Sequence, residues 1–207
     1  MDTKATVVIT EEGDIEAKIH LNSYGSQYGH HEGIQNSPLK DQTLYYKNYW
    51  SHIHNMDVLS MAFKNDRDAI VFSENIALKA RKYASKTGDR LLMSPNFFNV
   101  LANIPTRYRD RKLPFEIQRG FYDTDEYEIT IPKNFQIEGI QKKIHIENKF
   151  GKYSSALIKN ADSTLTFKRA FMLNKGAYAK EDYEDFRNFH MEVAKHDQSR
   201  IILIKKS

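Results

Sequence analysis

Histidine is the residue of this 207-residue chain best placed to do chemistry, with eight copies and no cysteine beside them. His30-His31 and His52-x-His54 form the one concentration. Two neighbours in a loop cannot easily turn to one ion, whereas His52 and His54 could if they lay on a strand. A closed zinc site needs three or four convergent ligands, and no Asp or Glu stands at a spacing that would complete one, so no metal site is expected. His20 and His145 fall on polar strand faces and read as solvated. The lack of cysteine removes disulfides, thiolate ligands and a cysteine nucleophile from these residues.

Asp123, Asp125, Glu126 and Glu128 offer carboxylate pairs of the kind a glycosidase uses. That chemistry needs two carboxylates facing across a cleft at a set separation, which spacing alone does not show, and a wet turn and strand face explains the cluster more simply. No Gly-rich phosphate loop and no Ser elbow occurs. No catalytic residue and no cofactor is expected, and the chain reads as a non-enzyme. Thr106-Arg-Tyr-Arg-Asp-Arg-Lys112 is the dense basic patch. The net charge of +4, from 31 basic and 27 acidic residues, is otherwise spread along the chain. A nucleic-acid module shows a wider basic stripe, so a solvated loop is the reading and no nucleic-acid partner is expected.

Aromatic residues are the remaining signal. Tyr24, Tyr28, Tyr45, Tyr46, Tyr49 and Trp50 crowd one loop and the helix after it, where some could form an exposed platform for a peptide or a sugar. Packing of that helix accounts for others. One helical face cannot bury consecutive Tyr45 and Tyr46 together with Tyr49 and Trp50.

The elements that must position these residues follow from periodicity. Residues 6–10 and 15–21 flank Glu11-Glu-Gly-Asp14, and the second run alternates, so a β-hairpin with one wet face is expected. Residues 22–37 read as a long loop. Ser37-Pro38 is a helix start, and a helix over about 38–52 follows. Residues 56–63, 69–72, 76–83 and 90–93 are strand candidates, the last entered through Lys86-Thr-Gly-Asp89. Residues 95–114 are irregular and carry three prolines, which places a boundary at about 112/113. Beyond it Tyr127, Ile129 and Ile131 alternate with Glu126, Glu128 and Thr130. Ile144 and Ile146 repeat the pattern, and a hairpin across 159–162 sets Leu165, Phe167, Phe171 and Leu173 in one row. Tyr183, Phe186, Phe189 or His190, and Val193 mark a helix over about 180–196. Its acidic first turns and basic last turn suit the helix dipole. A strand at 200–206, apolar from Ile201 to Ile204, closes the chain and reads as buried on both faces.

The expectation is a mainly β protein of antiparallel, sandwich-like layers with one packed helix in each half, residues 1–112 and 113–207. Mean hydropathy is −0.66, and no apolar run approaches the roughly 20 residues of a membrane helix, so no membrane insertion is expected. No signal peptide is visible after Met1.

Arg111-Lys-Leu-Pro-Phe115, Tyr127-Glu-Ile-Thr-Ile-Pro132, Phe150-Gly-Lys-Tyr153, Leu165-Thr-Phe-Lys-Arg169, Gly176-Ala-Tyr178 and the helix from Glu181 to Phe189 resemble, in order and spacing, a particular bacterial domain. It is the C-terminal domain of unknown function in large transglutaminase-like proteins typical of Bacteroidetes. The Gly13 hairpin and the Tyr-rich loop extend the likeness upstream. The resemblance implies a fragment: in that family a β domain and a papain-like core with Cys, His and Asp come first, and the β tail comes last. Ala179 departs from the pattern, standing where proline often opens the helix. The resemblance further implies a parent in the periplasm or cell envelope, and as partner the transglutaminase-like core of that parent. The expected function is a non-catalytic C-terminal β module that packs on the core and aids substrate or partner recognition. The alternative is a free-standing carbohydrate- or peptide-binding β-sandwich protein using the Tyr-Trp segment.

Overall fold

The computed structural model describes residues 1–139, 143–161 and 163–206. Strands β1 (Asp2–Ile9) and β2 (Ile15–Tyr24) make the expected hairpin. Gly13 turns it with φ +83°, a conformation glycine adopts without steric cost, and its carbonyl accepts from Ala84 N–H at 2.9 Å. The stretch read as a long loop is instead wound up. After β2 come a 3₁₀ turn (Gly25–Gln27), the short helix α1 (Tyr28–His31) and a second 3₁₀ turn (Glu32–Asn36). The Gly, Ser and Asn content suggested irregular backbone, but short helical turns tolerate those residues where tertiary contacts hold them. Helix α2 (Leu39–Tyr49) follows Pro38 as expected.

Strand β3 (Met56–Asp66) pairs with β4 (Val71–Ala80), which merges two of the strand candidates into one. The polar Ser73-Glu-Asn75 in its middle had looked like a break. The short strands β5 (Ser85–Thr87) and β6 (Arg90–Met93) turn at Gly88, φ +56°. Residues 94–114 have neither helix nor strand. Then come β7 (Phe115–Ile117), β8 (Phe121–Thr130), β9 (Phe135–Ile137), β10 (Ile144–Asn148), β11 (Gly151–Ala161), β12 (Thr164–Leu173) and β13 (Gly176–Tyr178). The β11–β12 pair has a bulge between Lys159 and Ala161, and Asp162 of the expected turn lies outside the described residues. A 3₁₀ turn (Lys180–Asp182), helix α3 (Tyr183–Asp197) and strand β14 (Ile201–Lys205) end the chain. Ala179 gives the helix entrance no side-chain cap.

The protein is mainly β and layered. An eight-stranded sheet runs β10-β11-β12-β8-β1-β2-β4-β3, antiparallel throughout except where β1 and β8 lie parallel. That pair crosses the irregular stretch in which the boundary was expected, so strands from both sides share one sheet. The core does the same: Val7, Ile19 and Leu78 pack in one cluster with Tyr127, Leu157 and Phe167. One face of the sheet is wet, with Lys4, Thr6, Lys18, Glu126, Glu128 and Lys168 exposed. The other is covered. Tyr46 and Trp50 of the α2 region bury against it, as do Leu91, Phe135, Ile201 and Leu203 of the four-stranded sheet β5-β6-β14-β9. Strand β14 alternates, with Ile201 and Leu203 buried but Ile202 and Ile204 only partly so, because only one of its faces meets the core. A second cluster of Ile117, Phe150, Tyr153 and Phe171 lies under Phe189 and Val193 of α3. Phe186, expected on the same face, is half-buried against Phe115 and Phe150.

No described helix is long and apolar enough to cross a membrane.

Candidate functional site

A cavity of about 410 Å³ opens where α1, α2, the 98–101 segment and the inner faces of β8 and β12 converge. Helical spacing builds one wall. Tyr45 and Tyr49 are one turn apart, so their rings stack at 5.9 Å with planes 8° apart, and His31 meets Tyr49 edge-on at 5.5 Å. Tyr46 and Trp50 repeat the spacing about 100° further round the helix and point into the core, both fully buried. Of the six aromatic candidates, therefore, Tyr46 and Trp50 are core residues that present no surface to a ligand. Tyr24 is exposed on the far side of the sheet, Tyr28 donates to Asn65 Oδ1 at 2.8 Å, and only Tyr45 and Tyr49 reach the cavity.

His30, His31 and His52 also line it, bringing together three of the four clustered histidines; His54 stays outside. Among the described residues no group of three or more His, Cys, Asp or Glu side chains could hold a metal ion. His31 is buried, and its Nδ1 lies 2.9 Å from Oε2 of the fully buried Glu74. The contact lacks hydrogen-bond alignment, since Glu74 Oε2 has no hydrogen-bond partner, while Tyr46 hydroxyl donates to Oε1. A lone pair facing a carboxylate at that distance would be repelled, so Nδ1 carries the ring proton and Nε2 faces outward. Burial, and then the Glu74 charge, push the Tyr45 phenol up to about 12. The same burial holds Tyr49 and Tyr46 higher still, so all three remain phenols at neutral pH. His52 donates from Nε2 to Phe97 O at 2.8 Å, because a carbonyl only accepts. Its pKa is lowered by burial, a shift this bond partly opposes, which leaves a neutral ring with an accepting Nδ1.

The floor is a buried charge network. Arg169 donates from Nη1 to Asp125 Oδ2 at 3.0 Å, and from Nε and Nη2 to the two oxygens of Asp197 at 2.7 and 2.9 Å. Tyr153 hydroxyl and Leu101 N–H complete Asp197, at 2.9 and 3.0 Å. Tyr127 hydroxyl and Asn99 Nδ2 complete Asp125. Burial opposes the Arg169 charge, yet Asp197 and Asp125 hold its pKa above the ordinary value. Burial raises Asp125, while Arg169, Asn99 and Tyr127 pull it back. Asp123 stands beside this network, accepting from Gln27 Nε2 at 2.8 Å. The Met1 amino group donates to Gln27 Oε1 and Tyr122 O, each at 2.8 Å, and lies 3.4 Å from Asp123 Oδ1.

The carboxylate cluster thus divides by strand phase. Glu126 and Glu128 lie on the wet face as expected, whereas Asp123 and Asp125 share the inner face with Tyr127. Arg169 is the other residue that spacing could have revealed, being in phase with Leu165, Phe167 and Phe171. The basic patch lies elsewhere, with Arg111 over the Tyr183 ring at 4.3 Å beside the start of α3.

Comparison with known proteins places half of this wall in a defined domain. A family described as a domain of unknown function with a solved structure, DUF3858, matches residues 89–203. The chain belongs to the DUF3858 family. The DUF3858 match contains Asn99, Leu101, Asp123, Arg169 and Phe171 of the cavity, while Gln27, His31, Tyr45, Tyr49 and His52 come from before it. Among solved structures, a candidate protease from Parabacteroides distasonis aligns at 18% identity with a TM-score of 0.46. The alignment covers 57% of this chain and 24% of that one, so the chain spans about a quarter of its length. No curated protein matches.

Proposed function

We propose that this DUF3858 chain is a non-catalytic β module of a bacterial transglutaminase-like protein of the cell envelope. It packs on the catalytic core and uses the His-Tyr cavity to recognise peptide substrates or partners. The observation that carries the reading is the state of the cavity's strongest groups. Arg169, Asp125 and Asp197 are bound to one another, and the sequence has no cysteine to serve as the nucleophile of papain-like chemistry. A floor so fully paired can hold a site rigid but has no spare group to react. The ordered motifs from Arg111 to Phe189, which fall within the family match and resemble the tail of such proteins, support the reading.

A free-standing carbohydrate- or peptide-binding protein is the second reading, favoured by the stacked Tyr45 and Tyr49 but weakened by the burial of Tyr46 and Trp50. Sequencing the DNA 5′ of the Met1 codon separates the two. An in-frame core with Cys, His and Asp is the expected result; a stop codon followed by a promoter would overturn the module reading in favour of the second.

A further inference from the structure

Charge around the cavity does not balance. Four carboxylates, Glu74, Asp123, Asp125 and Asp197, stand in or directly behind its wall, against one side-chain cation, the Arg169 guanidinium. The side chains therefore carry an excess of negative charge when the imidazoles are uncharged. In a buried wall of low dielectric such an excess attracts a positive charge strongly. Hydrogen-bonding capacity is lopsided in the same sense. His31 is only 6% exposed, and with Nδ1 turned to Glu74 its Nε2 is left to the cavity it lines. His52 Nδ1 is likewise free to accept, and Asp123 uses only Oδ1 in its contacts. Asp123 Oδ2, His31 Nε2 and His52 Nδ1 all accept, so a ligand that engages them must donate. Tyr45, Tyr49, Phe98, Phe121 and Phe171 add aromatic surface to the lining, suited to the alkyl chain that carries such a donor.

We propose that this cavity binds a primary ammonium group of a peptide, carried on a lysine side chain or on the peptide's own N-terminus. The inference deepens the recognition role proposed above. Its test uses this chain alone, so it can fail while the module reading stands, and the reverse.

The experiment is a titration of the ¹⁵N-labelled chain, followed through the imidazole resonances of His31 and His52. Three probes are compared: Nα-acetyl-lysine methylamide, the neutral isostere Nα-acetyl-norleucine methylamide, and triglycine with a free N-terminus. Movement of both histidines with the lysine probe or with triglycine, and none with norleucine, is expected, and the stronger of the two names the source of the ammonium. Asp123→Asn should weaken that binding about 10- to 100-fold, the usual loss for a hydrogen bond to a charged group. The proposal is overturned if norleucine moves the resonances as much as lysine does, or if neither ammonium probe moves them at about 10 mM, a concentration at which even millimolar binding would show. The norleucine comparison needs no variant, so it decides the matter even if Asp123→Asn fails to fold.

Discussion

Arg169 holds two carboxylates that would otherwise be buried and unpaired. Its replacement by methionine, similar in length and apolar, leaves Asp125 and Asp197 without their counter-ion, and breaking a buried pair in this way costs about 3–5 kcal/mol. Urea denaturation of Arg169→Met should show that loss, a large share of the roughly 5–15 kcal/mol typical of a whole domain. A change below about 1 kcal/mol would mean that the network is incidental. Histidine sets the pH response. Burial lowers the pKa of His52 and of His190, partly opposed by their contacts with Phe97 O and Phe186 O. The unfolded chain therefore binds more protons than the native one as pH falls through the ordinary histidine range. Their contribution is complete above about 6.5 and is lost below it. Denaturation midpoints should fall from about pH 7 to about pH 5, and His52→Asn with His190→Asn should flatten that part of the slope. Single residues were the hardest scale to read in advance. Arg169 and Glu74 carry a signal, each being a charge in phase with an apolar row, but the polar Ser73 and Asn75 on either side of Glu74 mask the alternation of its strand. Asp197 carries none, since its partner Arg169 is 28 positions away in the chain and only the fold joins them.

Helix α3 seals the smaller core through Phe189 and Val193, both buried, while Phe186 sits at its edge. Phe189→Ala should accordingly cost about 3–5 kcal/mol, the range for emptying a buried aromatic site, and Phe186→Ala clearly less. In thermal melts, where 1 kcal/mol moves the midpoint by roughly 2–4 °C in a chain of this size, the two variants should separate by several degrees. Equal shifts would place the seal elsewhere. Elements with strict periodicity are legible: α2, α3 and β8 lie where helical spacing or alternation puts them, because each has one face that must be buried, whereas the unbroken apolar run of β14 locates the strand but suggests two buried faces where there is one. The turns between Tyr24 and Ser37 are not. Four-residue helices have too few positions for a period, and their composition matches that of loops.

At the scale of the whole molecule, one sheet joins what looked like two halves, and the cavity lies where the N-terminal helices meet the DUF3858 strands. The layered, mainly β architecture could be read from alternation alone. The parallel β1–β8 pair could not, because a pairing between residues more than 100 positions apart leaves no local trace. That pairing is what brings α1 and α2 over Asp123 and Arg169 and makes one cavity wall from two separate stretches of chain. The central claim, that this chain recognises rather than catalyses, is tested most directly by assaying the purified chain for peptide hydrolysis and for cross-linking of amines to glutamine. The account predicts no turnover in either assay. Activity that is abolished by His31→Gln or Asp123→Asn in a folded variant would contradict it.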